Sequence, residues 1–172
     1  HPWHTMTRKE CLEYRKKCFD FLNANEIIAS SEETIDWAVP SIVTAHYSPY
    51  SFMVEEKGST LGVPVPLFNL VYHDCMVVPW MMDADQPEGD YMLYALLNGG
   101  AAYLNCEAEG KELEKEIERY RTVAQLQEKV AYSEMVRHEF LDGNYKKQRT
   151  VFADGTEVTV DLEAGTYQIH QN

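Results

Sequence analysis

After Asp142-Gly143-Asn144 the spacing of apolar residues drops from a helical period of about 3.6 to the strand period of 2. One element cannot serve both periods, so the change divides the chain into a mixed part, residues 1–141, and a β part, residues 142–172. In the β part, Val151 and Phe152 lead into Asp154-Gly155, a two-residue hairpin signal. Val158, Val160 and Leu162 alternate on the return strand, and Gly165 turns the chain into Tyr167 and Ile169. Three strands alone are marginally stable, so this module must pack on the rest of the chain or on further strands.

The first part alternates helices with short apolar runs. Thr7-Arg8-Lys9-Glu10 spells a capping box, and Cys11, Tyr14, Cys18, Phe21 and Leu22 follow at helical spacing. This predicts a helix that stops near Asn23-Ala24-Asn25. Residues 27–30 (Ile-Ile-Ala-Ser) are too few for a helix and read as a buried strand. Residues 42–47 give a weaker strand or helix signal, and 48–66, rich in Pro, Gly and Ser, read as a long surface loop. Residues 67–72 read as a strand ending in His73-Asp74-Cys75. Asp90 can cap a helix over 91–98, with Gly99 as its stop, and 101–104 read as a short strand. Residues 109–140 carry the strongest helical signal, with Leu113, Ile117, Tyr120, Ala124, Ala131 and Met135 on one seam and a bend predicted at Gln127. The order is that of α/β units followed by a small all-β module.

Charge and composition bound the function. Among 172 residues, 15 Lys and Arg stand against 28 Asp and Glu, a formal charge of -13 that repels phosphate backbones and excludes nucleic acid as a partner. No apolar run reaches the roughly 18 residues a membrane span requires; the longest candidate, 63–80, is broken by Pro64, Pro66, Asn69, His73, Asp74 and Pro79. The chain opens His1-Pro2-Trp3-His4 without a leader, so it reads as an excised or processed segment of unknown compartment. Cys11, Cys18, Cys75 and Cys106 form no C-x-x-C pair. Cys11 and Cys18 lie two helical turns apart, about 10 Å, too far for a disulfide, so all four are expected to be free and buried.

Two polar clusters follow apolar runs, the position that site residues occupy at strand ends in barrels of α/β units. Glu32 comes directly after residues 27–30 and precedes Asp36 and Trp37, which places it as a general acid; a solvated loop carboxylate is the alternative. Glu33 must point elsewhere. His73 and Asp74 are costly to bury unpaired, so they meet either a site or local caps. Trp37, Tyr47, Tyr72 and Trp80 flank these clusters as sugar platforms or as core. His46, His73, Asp74 and Glu32 could ligate a metal, but H-E-x-x-H, H-x-H and paired-Cys spacings are all missing. No phosphate loop or nucleophile elbow occurs, and no cofactor is expected.

The run Ser31-Glu32, then Asp36-Trp37-Ala38-Val39-Pro40, then Pro66-Leu67-Phe68-Asn69-Leu70-Val71-Tyr72-His73-Asp74-Cys75, resembles bacterial glycoside hydrolases of family 129 and the related family 101, in their C-terminal part. Residues 91–98 with Gly99-Gly100, and Phe152-Ala153-Asp154-Gly155-Thr156-Glu157-Val158, fit the same pattern. The resemblance implies the terminal units of a (β/α)8-like barrel followed by part of a β-sandwich. It implies a retaining enzyme for α-linked N-acetylgalactosaminides, acting on a carbohydrate or glycopeptide with the remainder of the barrel as partner. Glu32 matches the acid/base; Asp36, Trp37, His73 and Asp74 would line the sugar pocket. No residue here matches the family's nucleophile. The competing reading is a non-catalytic carbohydrate-binding or scaffold fragment.

Overall fold

The capping box forms as written. In the computed structural model, which describes residues 5–32, 36–46, 54–55, 59–60, 65–79, 91–104 and 107–171, Thr7 Oγ1 accepts from Glu10 N at 3.2 Å. Glu10 Oε2 in turn accepts from Thr7 N at 2.7 Å. Helix α1 runs Arg8–Ala24 and ends at Asn25. Its predicted face is only partly right. Tyr14, Cys18 and Phe21 point to solvent, while Phe19 and Leu22 pack against the core. The apolar residues of α1 make two stripes, and the Trp37 ring, 6.0 Å from that of Phe19, selects the second.

Four successive segments then pair in parallel. Strand β1 (Ser30–Ser31) lies beside β2 (Thr44–Ala45), Thr44 bridges to Val77, and Pro79 bridges to Ala101. The backbone bonds run Val43 N to Ala29 O, Ala45 N to Val77 O and Ala101 N to Val78 O, each near 3 Å. Residues 27–30 are therefore not a buried strand. Ile27 and Ile28 are 47% and 79% exposed, and only Ala29 is buried, because β1 is the edge of this set among the described residues. The predicted strand at 101–104 contributes a single bridge. The loop at 48–66 contains a small hairpin, β3 (Val54–Glu55) with β4 (Ser59–Thr60).

The strand predicted over 67–72 is instead helix α2 (Leu67–Tyr72), continued by a 3-10 turn over His73–Cys75. A six-residue apolar run does not distinguish the two states by periodicity, and Pro66 directly before it suits a helix start. The extended segment comes after the His-Asp pair, where Met76 and Val78 are buried. Helix α3 (Tyr91–Leu97) is buried along Met92, Leu93, Ala95, Leu96 and Leu97. Gly99, at φ 59°, ends it as expected.

Helix α4 (Gly110–Val130) is unbroken at Gln127, and its buried residues are Val123, Leu126 and Val130 rather than the Leu113–Ile117–Tyr120 seam. It stops well before 140. Met135–Phe140 forms β5, the first strand of an antiparallel meander with β6 (Lys147–Phe152), β7 (Glu157–Asp161) and β8 (Thr166–His170). The β module thus begins at Met135, and the division drawn between 141 and 142 falls inside the 3-10 turn joining β5 to β6. The Asp154-Gly155 turn is a three-residue loop. Gly155 N bonds Phe152 O at 3.0 Å, Phe152 N bonds Thr156 O at 2.9 Å, and Gly155 takes φ 85°. Phe152, Val158 and Val160 face inward and join α3 and α4 in one core. The described cysteines are free, but Cys18 and Cys75 are exposed and Cys11 is half-buried, against the expectation that all are buried.

Candidate active-site edge and comparison with known proteins

Residues just beyond the C-terminal ends of parallel strands converge on one edge, where such sheets build their sites. Glu32 is the first residue after β1 and is exposed. His46 is the first after β2, and its amide donates to Ser31 O at 2.9 Å, so β2 delivers His46 beside the residue that precedes Glu32. Two residues past the Ala101 bridge, Tyr103 stands edge-on to His46, with ring centroids 6.0 Å apart at 81°. Tyr47 and Trp80 lie outside the described residues, as do Glu33 and Cys106.

Asp36 and Trp37 start a 3-10 turn (Asp36–Ser41) a few residues after Glu32. The Asp36 carboxylate accepts from Trp37 N at 2.8 Å and stays exposed, while the half-buried Trp37 ring meets Phe19. Asp36 therefore organises its own turn, and Trp37 ties that turn to α1.

His73 and Asp74 are placed elsewhere. They end a helix rather than a strand, which removes the premise that made them strand-end residues. The buried His73 ring has Nδ1 2.7 Å from Ser133 O and Nε2 3.3 Å from Gly99 O. It also lies 5.0 Å from the Phe152 ring. Backbone carbonyls of two other elements thus face the two nitrogens, the N–H of whichever tautomer is present donating to one of them, and the residue acts as a clamp between α2, the end of α3 and the entry to β5. Asp74 is half-buried and accepts from Cys75 Sγ at 3.5 Å. Burial pushes the Cys75 thiol above its ordinary value, with the Asp74 carboxylate adding to the effect.

A buried amide pair lies beside this clamp. Asn69 Nδ2 donates to Asn98 Oδ1 at 2.7 Å, and Asn98 Nδ2 donates to Tyr94 O at 2.9 Å. Asn69 Oδ1 has no hydrogen-bond partner among the described residues, and Asn69, His73, Asn98 and Gln127 line a cavity of about 10 Å³. Gln127, read in the sequence as a break in α4, is the helix's polar contribution to that cavity. Among the described residues no group of three His, Cys, Asp or Glu side chains is arranged to hold a metal ion.

No family model matches the chain, and no curated protein matches it. Among solved structures it is similar to α-N-acetylgalactosaminidase NagBb of Bifidobacterium bifidum. A quadruple mutant of that enzyme is 53% identical over 100% of this chain, with a TM-score of 0.86. The enzyme in complex with GalNAc is 52% identical over 99% of this chain, with a TM-score of 0.84. Its complex with Gal-NHAc-DNJ is 50% identical over 100%, with a TM-score of 0.85. The chain is similar over its full length to part of that bacterial glycoside hydrolase. It spans 28–29% of the length of the enzyme it matches.

Identity at this level along the whole chain supports the resemblance read from its motifs, at the level of a bacterial glycoside hydrolase. His46 and Tyr103, which the structure sets on the same edge as Glu32, were not singled out as pocket residues in the sequence. His46 carried only a weak metal-ligand signal, and Tyr103 follows a strand one bridge long. Their common feature is position: each comes within two residues of a parallel pairing, as Glu32 does.

Proposed function

We propose that this chain supplies the last parallel strands and the closing β module of a barrel-bearing retaining glycoside hydrolase. Its substrates are α-linked N-acetylgalactosaminide-type glycans, free or on glycopeptides. The carrying observation is the position of Glu32, exposed and directly after β1 on the edge shared with His46 and Tyr103. Parallel pairing in chain order, from β1 through β2 and residue 77 to Ala101, supports terminal barrel units. The named activity of the similar enzyme and its complex with GalNAc support the sugar class.

In this reading Glu32 is the general acid/base. A retaining mechanism needs a second carboxylate about 5–5.5 Å from the first. Glu32 protonates the glycosidic oxygen as that carboxylate attacks the anomeric carbon, and the leaving alcohol departs. Glu32 then takes a proton from water, which displaces the enzyme from the sugar. The nucleophile belongs to the part of the protein outside these 172 residues. Asp36 and Trp37 flank the acid by shaping the turn beyond it. Asp74 stays a candidate for the pocket rim, whereas His73 serves the fold.

The test is Glu32→Gln in the full-length protein. Turnover of a natural glycopeptide should fall roughly 10²–10⁴-fold while binding persists. Substrates with an activated leaving group need little protonation and should lose less in the first step. Unchanged hydrolysis of the natural substrate overturns the assignment.

A further inference from the structure

We propose that Tyr103 is a substrate-contacting residue of this site: with His46 set against its ring, it forms an aromatic wall for the pyranose of an N-acetylhexosamine. The proposal rests on the reading of the Glu32 edge as a glycosidase site and names a residue that reading does not contain. Three observations carry it. Tyr103 lies two residues past Ala101, whose pairing with Pro79 makes it the last member of the parallel set that begins at β1. Tyr103 is 39% exposed, although the chain leading to it passes from the buried end of α3 and Gly100 through half-buried Ala101 and Ala102. It is also held in place, since the T-shaped contact with His46 fixes it to the strand adjacent to Glu32.

The chemistry suits a sugar. A tyrosine offers an apolar face for the axial C–H groups of a pyranose and a hydroxyl that can reach a sugar hydroxyl or an acetamido carbonyl. The T-shaped contact with His46, at 81° between ring planes, orients the phenol ring without stacking the imidazole flat on it.

The experiment titrates N-acetylgalactosamine into the full-length wild type, Tyr103→Ala and Tyr103→Phe. Tyr103→Ala should weaken binding roughly 3- to 10-fold with the melting temperature near that of wild type, and Tyr103→Phe should stay within about 2-fold. A fluorine NMR label on Tyr103, as 3-fluorotyrosine, guards against a variant that fails to fold. Its resonance should shift and saturate with added sugar. Wild-type affinity in Tyr103→Ala, or a fluorine signal that ignores saturating sugar, overturns the proposal while leaving Glu32 to its own test. A wild-type protein that binds no sugar overturns both readings together.

Discussion

Gly99 shows how much of this fold hangs on one residue. A Cβ there would sit 2.6 Å from His73 Nε2 and 2.9 Å from both Phe152 Cζ and Val130 Cγ2, at a φ of 59° that disfavours side chains. Gly99→Ala should therefore destabilise the protein by about 2–4 kcal/mol, adding left-handed strain to overpacking. His73→Ala, which removes the clamp, should likewise lower the melting temperature but leave affinity for N-acetylgalactosamine unchanged. Denaturant melts and a sugar titration of both variants check this, and weakened sugar binding in His73→Ala would return that residue to the pocket. The glycine was legible as a helix stop. The histidine's role was not, because its partners lie 26 and 60 residues away in sequence.

At the scale of elements, local signals decided termini better than faces. The Thr7 box and the Gly99 stop act within one turn, so the sequence contains both halves of each interaction. The seam of α4 and the packed stripe of α1 depend on what lies opposite them, and both were read only partly on the right residues. The meander carries a pH dependence of its own. Burial pushes the His138 imidazole below its ordinary value of 6.5, against an opposing hydrogen bond to Gln148 and the Glu139 charge. The folded state then binds fewer protons than the unfolded state just below 6.5, so stability rises with pH through that window. Its contribution is complete above 6.5 and is lost as pH falls toward the folded value. The carboxylates of Glu139, hydrogen-bonded by Arg149, and of Asp161, bound by the Ala164 amide, are both held below their ordinary values. Their contributions persist above 4.5 and 3.8 and fade under more acidic conditions. Thermal melts across about pH 2 to 8 should show a first loss below neutrality that His138→Gln abolishes, and a second, more acidic loss that it leaves intact. A single acidic transition in wild type would sink this assignment.

At the scale of the molecule, the exposed edge of β1 has a physical consequence. Ile27, Ile28 and Val43 are 47%, 79% and 48% exposed beside β1, which lies at the edge of its sheet among the described residues. Such an edge is a template for pairing. The isolated 172-residue chain should self-associate, seen as oligomers in light scattering that disperse when Ile28 is changed to Lys. A clean monomer with a cooperative melt would count against the edge as an unsatisfied surface.

The amino-acid order by itself determined the start and stop of α1, the glycine stop of α3, the glycine turns and the presence of a closing β module. Each rests on contacts a few residues long or on a period that runs through one element. Tertiary structure alone decided that residues 67–72 coil rather than extend, that 135–140 belong to the meander rather than to α4, and that His73 clamps three elements. It also decided that Tyr103 meets His46. A six-residue apolar run gains about the same burial in either conformation, so the partners that cover it make the choice. Those partners are distant in sequence, and only folding brings them within reach.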